Sequence, residues 1–100
     1  MRAEVVEQVF VRRRGGRVEL LVVLETPAGE RQRETLLAPT SSPEEAVRYA
    51  AVQLARRGLG AATRLRLRRD LGGTLVDDPQ LKQAFLRAMA AAAEDGAPWD

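Results

Sequence analysis

The chain has 100 residues, of which 45% are hydrophobic and 30% charged, with a net charge of +2; these values suit one small domain and exclude a disordered or fibrous chain. Cysteine and histidine are both missing, which excludes disulfides, thiolate chemistry and imidazole catalysis and favours a cytoplasmic protein. No apolar run approaches the roughly 20 residues that cross a bilayer, and the charged start at Met1–Glu4 gives no sign of a targeting peptide.

Arginine dominates the cationic residues, because of the sixteen only Lys82 is not arginine. Asparagine is absent as well, a composition that favours a GC-rich genome and is compatible with a thermophilic source. The charge is also segregated, since residues 56–69 hold six arginines and no carboxylate, whereas residues 70–100 have an acidic excess. Such asymmetry can bind an anionic partner, or it can be neutralised within the fold or across a subunit contact.

The first predicted element is a β-hairpin that turns at Gly15-Gly16, because a diglycine pair supplies the positive φ angles of a two-residue primed turn. Residues 3–13 also allow a helix capped by Gly15, but the Val-Phe-Val run and the hairpin register favour a strand. The second strand covers Val18–Thr26 and is apolar on both faces, as is typical of a central strand. The turn predicts these cross-strand pairs: Arg12 with Glu19, Val11 with Leu20, Phe10 with Leu21 and Val9 with Val22.

Three further strands are predicted after this hairpin. Residues 31–37 form a mostly polar strand suited to a sheet edge, where charges discourage pairing with foreign chains. Residues 63–69 alternate, with the leucines inward and Arg64, Arg66 and Arg68 outward. The turn at 70–73 leads into a short return strand over residues 74–76.

Two helices complete the prediction. The first starts with Ser42 as N-cap, Pro43 at the first helical position and Glu45 closing a capping box, and it runs to about residue 57. The second opens at Asp78-Pro79 and ends at Gly96, and residues 95–100 form a C-terminal tail. The predicted fold is a single α+β domain over residues 1–100, with an antiparallel-rich sheet of four or five strands and two helices packed on one face, in the order β-β-β-α-β-(β)-α. The residues assigned to the buried helix faces are Ala46, Val47, Ala50, Ala51, Leu54, Ala55, Leu81, Ala84, Phe85, Ala88, Met89 and Ala92.

The β-β-β-α run over residues 17–58, with Ser42-x-x-Glu45-Ala46 and Ala50-Ala51, resembles the C-terminal part of double-stranded-RNA-binding domains. The resemblance implies a sheet with a helix on one face. Pro43 and Glu44 stand where those domains place lysines, so the residues that grip phosphate there have no counterparts in this chain. No family is assigned on this basis.

The sequence predicts no catalytic, metal-binding or cofactor-binding residues, and therefore a protein that is not an enzyme. Ser41 and Ser42 have no evident base partner and are explained as a loop residue and a helix cap. Asp77 and Asp78 could bind a hard cation, but an Asp pair before a proline more often caps a helix. Gly72-Gly73 lacks the lysine and the strand–loop–helix context of a phosphate loop.

The arginines give one functional hypothesis, a surface that binds the phosphates of RNA or DNA. The opposing interpretation is a solvated strand face whose guanidinium groups pair with Glu30 or Glu34 of a neighbouring strand. Phe10 and Phe85 are assigned to the core, which leaves few aromatic rings to stack on bases. The residues predicted to bind phosphate are Arg56, Arg57, Arg64, Arg66 and Arg68.

A second hypothesis is favoured over the first: a protein-interaction or assembly module that associates with itself, as a homodimer, or with another protein. Tyr49, Val52 and Arg56 lie opposite the buried arc of the first helix at helical spacing, and Tyr and Arg are enriched at interfaces. Trp99 in the tail is added to this surface because an exposed indole usually finds a pocket. Self-association is expected through this helix face or through an edge of the sheet, and no membrane partner is expected.

Overall fold

Five strands form one sheet, and two helices cover one of its faces, in the computed structural model, which describes residues 4–96. The α+β class and the order β-β-β-α-β-β-α agree with the sequence prediction. Trp99 and the rest of the chain beyond Gly96 lie outside the described residues. The elements are β1 (Val5–Arg14), β2 (Arg17–Glu25), β3 (Arg31–Ala38), α1 (Pro43–Arg56), β4 (Gly60–Leu71), β5 (Thr74–Asp77) and α2 (Pro79–Gly96).

The first hairpin has the predicted register, with Phe10 opposite Leu21 and Arg12 opposite Glu19. Gly15 has a φ of 64° and Gly16 does not have a positive φ, the pattern of a type II′ turn. The strand alternative for the opening segment is therefore confirmed, and the helix alternative is wrong. Local turn chemistry was enough to fix this part of the fold.

The strand order in the sheet is β3-β2-β1-β4-β5, so β1 is the central strand. β1 and β4 run parallel, and β2, β3 and α1 lie between them in the chain. All other neighbouring strands are antiparallel. The ladder between β1 and β4 is irregular. Val6 pairs with Ala61, but Gln8 already pairs with Arg66, so β4 carries extra residues opposite a bulge at Glu7.

The hydrophobic core lies between the sheet and the two helices. Strand residues such as Val9, Leu20 and Leu67 meet helix residues such as Leu54 and Phe85, and each of these five is at most 2% exposed. No charged or polar residue among those described is buried. The inward faces predicted for α1 and for β4 are confirmed.

Both helices begin with a side-chain cap. Ser42 Oγ accepts a hydrogen bond from the Glu45 backbone N–H at 3.3 Å, as predicted. The second half of the capping box differs from the prediction, because the Glu45 carboxylate accepts from Thr40 Oγ1 at 2.9 Å, and that same Oγ1 accepts from the Ser42 N–H at 3.1 Å. Asp78 Oδ1 accepts from the Leu81 N–H at 3.0 Å and caps α2. Neither helix, within residues 4–96, combines the length and the hydropathy needed to span a membrane.

Candidate functional site

The face of the sheet that carries no helix, here called the open face, has an apolar strip at its centre. Phe10 of β1 and Leu21 of β2 are paired neighbours on this strip. Val23 continues the strip and is only 6% exposed, although it is not part of the helix-side core. The assignment of Phe10 to the core was wrong: alternation along β1 sends Val9 and Val11 toward the helices and turns Phe10 to the other side.

A groove of about 610 Å³ lies over this strip. Phe10, Leu21 and Val23 contribute apolar surface to it, while Arg12 and Arg33 are among its charged lining residues. The groove thus combines an apolar floor with cationic side chains. This combination suits a ligand that is both planar and anionic.

Arginines outnumber carboxylates on the open face. Strand alternation and the cross-strand pairs place eight arginines and five carboxylates on this side. The arginines are Arg12, Arg14, Arg17, Arg31, Arg33, Arg64, Arg66 and Arg68. The carboxylates are Glu7, Glu19, Glu25, Asp70 and Asp77.

Two of these carboxylates lie beneath the guanidinium groups they pair with. The Glu19 side chain is 16% exposed, whereas its partners Arg12 and Arg14 are 53% and 62% exposed. Glu7 is 19% exposed and its partner Arg31 is 64% exposed. The arginine side chains of these pairs therefore form the outer layer. A ligand that approaches the open face at these pairs contacts positive charge before negative charge.

The hydrogen bonds of these pairs leave donors free. Arg12 binds Glu19 through Nε at 2.7 Å, and its terminal nitrogens have no acceptor among the described residues. Arg31 binds Glu7 through Nε at 2.7 Å and through Nη2 at 3.3 Å, and this hydrogen bonding, with the charge of Glu7, raises the pKa of Arg31 above its ordinary value. Arg33 forms no ion pair within residues 4–96.

Arg68 lies over the Phe10 ring, with its Cζ 4.9 Å from the ring centroid. Its Nη2 donates to Gln8 Oε1 at 3.1 Å. Its Nε is buried and has no hydrogen-bond partner, and Arg68 forms no ion pair with a described carboxylate. Its neighbour Arg66 makes a long ion pair of 3.4 Å with Asp77, on the highly exposed side of β5.

The predicted phosphate-binding cluster is divided by the fold. Arg64, Arg66 and Arg68 share the open face, but Arg57 makes two hydrogen bonds of 2.7 Å to Glu34 on the helix side of β3. These hydrogen bonds lower the pKa of Glu34 and raise that of Arg57. The proposed neutralisation of the β4 arginines by Glu30 or Glu34 does not occur, since β4 borders β1 and β5 and not β3.

Arg56 lies exposed at the end of α1 and does not join the open face. It shares the outer side of that helix with Tyr49, which is 37% exposed, and with the partly exposed Val52. The three helical residues of the predicted interface thus share one side of α1, and their role as an interface stays a prediction. Its fourth residue, Trp99, lies outside the described residues.

Sequence reasoning missed four residues of the open face: Phe10, Arg12, Arg31 and Arg33. The signal for Phe10 was present, because the hairpin register paired it with Leu21, on the side opposite to Leu20. The two β3 arginines were assigned to an edge strand, and only the sheet order shows that their side chains line the same groove as Phe10.

An exposed apolar surface lies along β5, which is an edge strand, and Leu75 of this strand also lines the groove of the open face. Leu71, Leu75 and Val76 are 53%, 45% and 42% exposed. They make up three of the five large hydrophobic side chains that are exposed among the described residues. Apolar surface is therefore concentrated on the β4–β5 hairpin.

The Gly15-Gly16 and Gly72-Gly73 turns lie at the same end of the sheet, because β1 and β4 are parallel. One cavity is lined both by Arg12–Arg14 and by Leu71–Gly73. Gly72 and Gly73 have φ angles of 64° and 95°, which is the pattern of a type I′ turn.

No family model, curated protein or solved structure matches this chain. The resemblance of residues 17–58 to double-stranded-RNA-binding domains therefore gains no support. Within residues 4–96, no group of three or more acidic side chains could hold a metal ion. The functional argument rests on the geometry of the open face and of the β5 edge.

Proposed function

We propose that this chain is a non-catalytic module that binds nucleic acid through the open face of its sheet. The observation that carries the proposal is the apolar strip of Phe10, Leu21 and Val23, which lies among arginines, and two carboxylates of this face, Glu7 and Glu19, are less exposed than the arginines they pair with. Phosphate backbones are bound by cationic side chains. Bases bind to aromatic and apolar surfaces, and open sheet faces supply such surfaces in several RNA-binding modules.

The ion pairs on this face are compatible with phosphate binding, because they hold the arginines in position and are weak enough for a phosphate to displace. An arginine has five N–H donors, and Arg12 uses its Nε toward Glu19, which holds the side chain in place. Surface ion pairs of this kind contribute at most about 1 kcal/mol, so a phosphate can compete for them. Two arginines share Glu19, which leaves a positive excess at that point.

The proposed contact residues differ in part from those chosen on sequence. Arg57 is omitted because both of its terminal nitrogens bind Glu34, and Arg56 is omitted because it belongs to α1. The β4 arginines remain. The proposed phosphate-binding residues are Arg12, Arg31, Arg33, Arg64, Arg66 and Arg68.

A charge-reversal experiment tests this assignment. Arg33 and Arg64 form no ion pair within the described residues, so the double variant Arg33→Glu/Arg64→Glu should fold normally. We expect its affinity for a labelled oligonucleotide to fall at least about tenfold at roughly 50 mM salt. The slope of log affinity against log salt should become shallower by an amount that corresponds to about two lost phosphate contacts.

The matched control is Arg56→Glu/Arg87→Glu, which changes the net charge equally on the helical side of the molecule. Its affinity should fall much less, because charges separated by more than a Debye length, about 14 Å at this salt concentration, are largely screened. Equal losses in the two variants would show a non-specific charge effect, and absence of binding by the wild type at about 50 mM salt would end the proposal.

A second candidate function, self-association, is favoured by the β5 edge. This strand has exposed backbone on its outer side, and its hairpin carries Leu71, Leu75 and Val76. The opposite edge, β3, carries charged residues such as Arg31 and Arg33, which discourage pairing. A second copy of the chain could extend the sheet by antiparallel pairing at β5, and the face of α1 with Tyr49 is the other proposed contact.

Light scattering over a range of concentrations distinguishes these contacts. We expect Leu75→Lys to convert a homodimer into a monomer if the edge is used, because an edge lysine opposes strand addition. Tyr49→Asp should have that effect if the α1 face is used. A wild-type chain that is monomeric at every concentration would exclude both.

We also propose that the protein works in the cytoplasm. Its sequence has no cysteine and so cannot form the disulfides that many secreted proteins contain. Fractionation of the source cells with a tagged chain would test this location.

A further inference from the structure

We infer that Phe10 is the ring on which one base of a single-stranded nucleic acid stacks, and that Arg68 leaves this ring to bind a phosphate; this inference rests on the proposed nucleic-acid binding. Phe10 lies on the central strand, with Leu21 as its neighbour on β2 and Arg68 as its neighbour on β4. A base placed on the ring would therefore lie at the middle of the open face, with arginines on both sides.

Arg68 differs from the other open-face arginines in what holds it. Arg12 and Arg31 each bind a carboxylate at 2.7 Å, whereas Arg68 binds only the neutral Gln8 amide and the Phe10 ring. Its Nε–H is buried without an acceptor, and a buried donor without a partner is unfavourable. Arg68 therefore gains a hydrogen bond when it moves to a phosphate oxygen, and its departure exposes the ring.

The ligand class follows from the position of the ring. Phe10 is only partly exposed and lines the groove beneath the charged side chains, so a partner must insert a flat group to reach it. Bases of a duplex are stacked on each other and present only their edges, whereas bases of a single strand can turn out and stack on an aromatic side chain. The geometry therefore favours a single strand over a duplex.

The test variant is Phe10→Leu, which keeps an apolar side chain and every arginine. Three probes are compared at the same salt: an oligothymidylate, a DNA duplex of the same length, and inorganic polyphosphate, which has charge but no bases. We expect the wild type to prefer the oligothymidylate to the duplex. The variant should bind the oligothymidylate about tenfold more weakly, with the same salt dependence and unchanged polyphosphate binding.

The wild-type protein supplies a second measurement that does not depend on the variant's folding. On addition of oligothymidylate, the NMR signals of the Phe10 ring should move upfield because of the base stacked on it, and the Arg68 Nε–H signal should shift as that group leaves its buried position for a phosphate oxygen. Inorganic polyphosphate, which has no base to stack, should not produce this upfield shift of the ring signals.

The outcomes separate the two proposals. If the wild type binds none of the three probes, the proposed nucleic-acid binding fails. If it binds all three equally and neither Phe10→Leu nor the ring signals respond to oligothymidylate, only the stacking inference fails. Weaker binding of all three probes by the variant would show a general disturbance of the face and would also overturn the stacking assignment.

Discussion

The two faces of the sheet are built from the same strands but differ in burial and in charge. On the helix side, Val9, Leu20 and Leu67 are at most 2% exposed and form one continuous core with both helices. On the open side, the neighbouring residues Phe10 and Leu21 form a narrow strip among charged side chains. Because alternate residues serve the two faces, changes to folding and changes to the proposed binding should be separable one position apart.

The largest expected effect is a difference in the free energy of unfolding between alanine variants on the two faces of the sheet. Leu20→Ala removes a fully buried side chain and should lower the free energy of unfolding by about 2–5 kcal/mol. Leu21→Ala, one residue along the same strand, removes a partly exposed side chain and should cost only about 1 kcal/mol. Urea denaturation of the two variants measures the difference. Equal losses would show that the open face is packed as tightly as the core.

A smaller effect concerns the ion pair of the helix side, Glu34 with Arg57. The hydrogen bonds from Arg57 lower the folded-state pKa of Glu34 below its ordinary value of 4.5. The pair's stabilisation is therefore complete above that ordinary value and is lost as the pH falls through the lower folded-state value. Because the pair is partly exposed, its contribution should not exceed about 1 kcal/mol.

The measurement compares wild type with Glu34→Gln by urea denaturation at several pH values. The wild type should be the more stable near neutral pH, and the difference should disappear in acid below the folded-state pKa of Glu34. Glu44→Gln is the control, since Glu44 forms a more exposed pair with Arg48 within one helix and should change stability by only a few tenths of a kcal/mol. A pH-independent difference for Glu34→Gln would contradict the assigned role of the pair.

The smallest effect is a gain of binding on the open face. Glu19→Gln removes one negative charge beneath Arg12 and Arg14 but keeps an oxygen that can accept from Arg12. We expect affinity for an oligonucleotide to rise about two- to threefold at low ionic strength, and the gain to fade as salt is added. Unchanged or weaker binding would mean that the carboxylate is needed to hold the two arginines in position.

Local signals in the sequence were enough to predict much of the fold. The diglycine turn fixed the register of the first hairpin, including the pair of Phe10 with Leu21. Ser42 and Pro43 marked the start of α1, and the leucines of β4 marked its inward side. Each of these depends on residues close together in the chain, where turn and capping chemistry act directly.

The order of the strands could not be predicted in the same way, because it depends on where a crossover returns the chain. β4 lies beside β1 and not beside β3, so its arginines meet Gln8 and Asp77 and not Glu34. For the same reason the contribution of Arg31 and Arg33 to the groove was missed. The candidate site is assembled from four strands, and no short stretch of sequence contains it.

The two diglycine turns at one end of the sheet have a practical consequence. An added Cβ at Gly15 or Gly73 would meet no heavy atom within 4 Å, so these corners face open space, and a longer loop could replace either without steric conflict in the folded domain. Because Arg14, next to the first turn, and Gly72-Gly73 of the second line one cavity, two peptides grafted at these turns would emerge side by side. The end of the sheet that carries these turns is thus a suitable place for two grafted loops that bind an elongated partner from both sides, while the rest of the domain serves as a rigid scaffold.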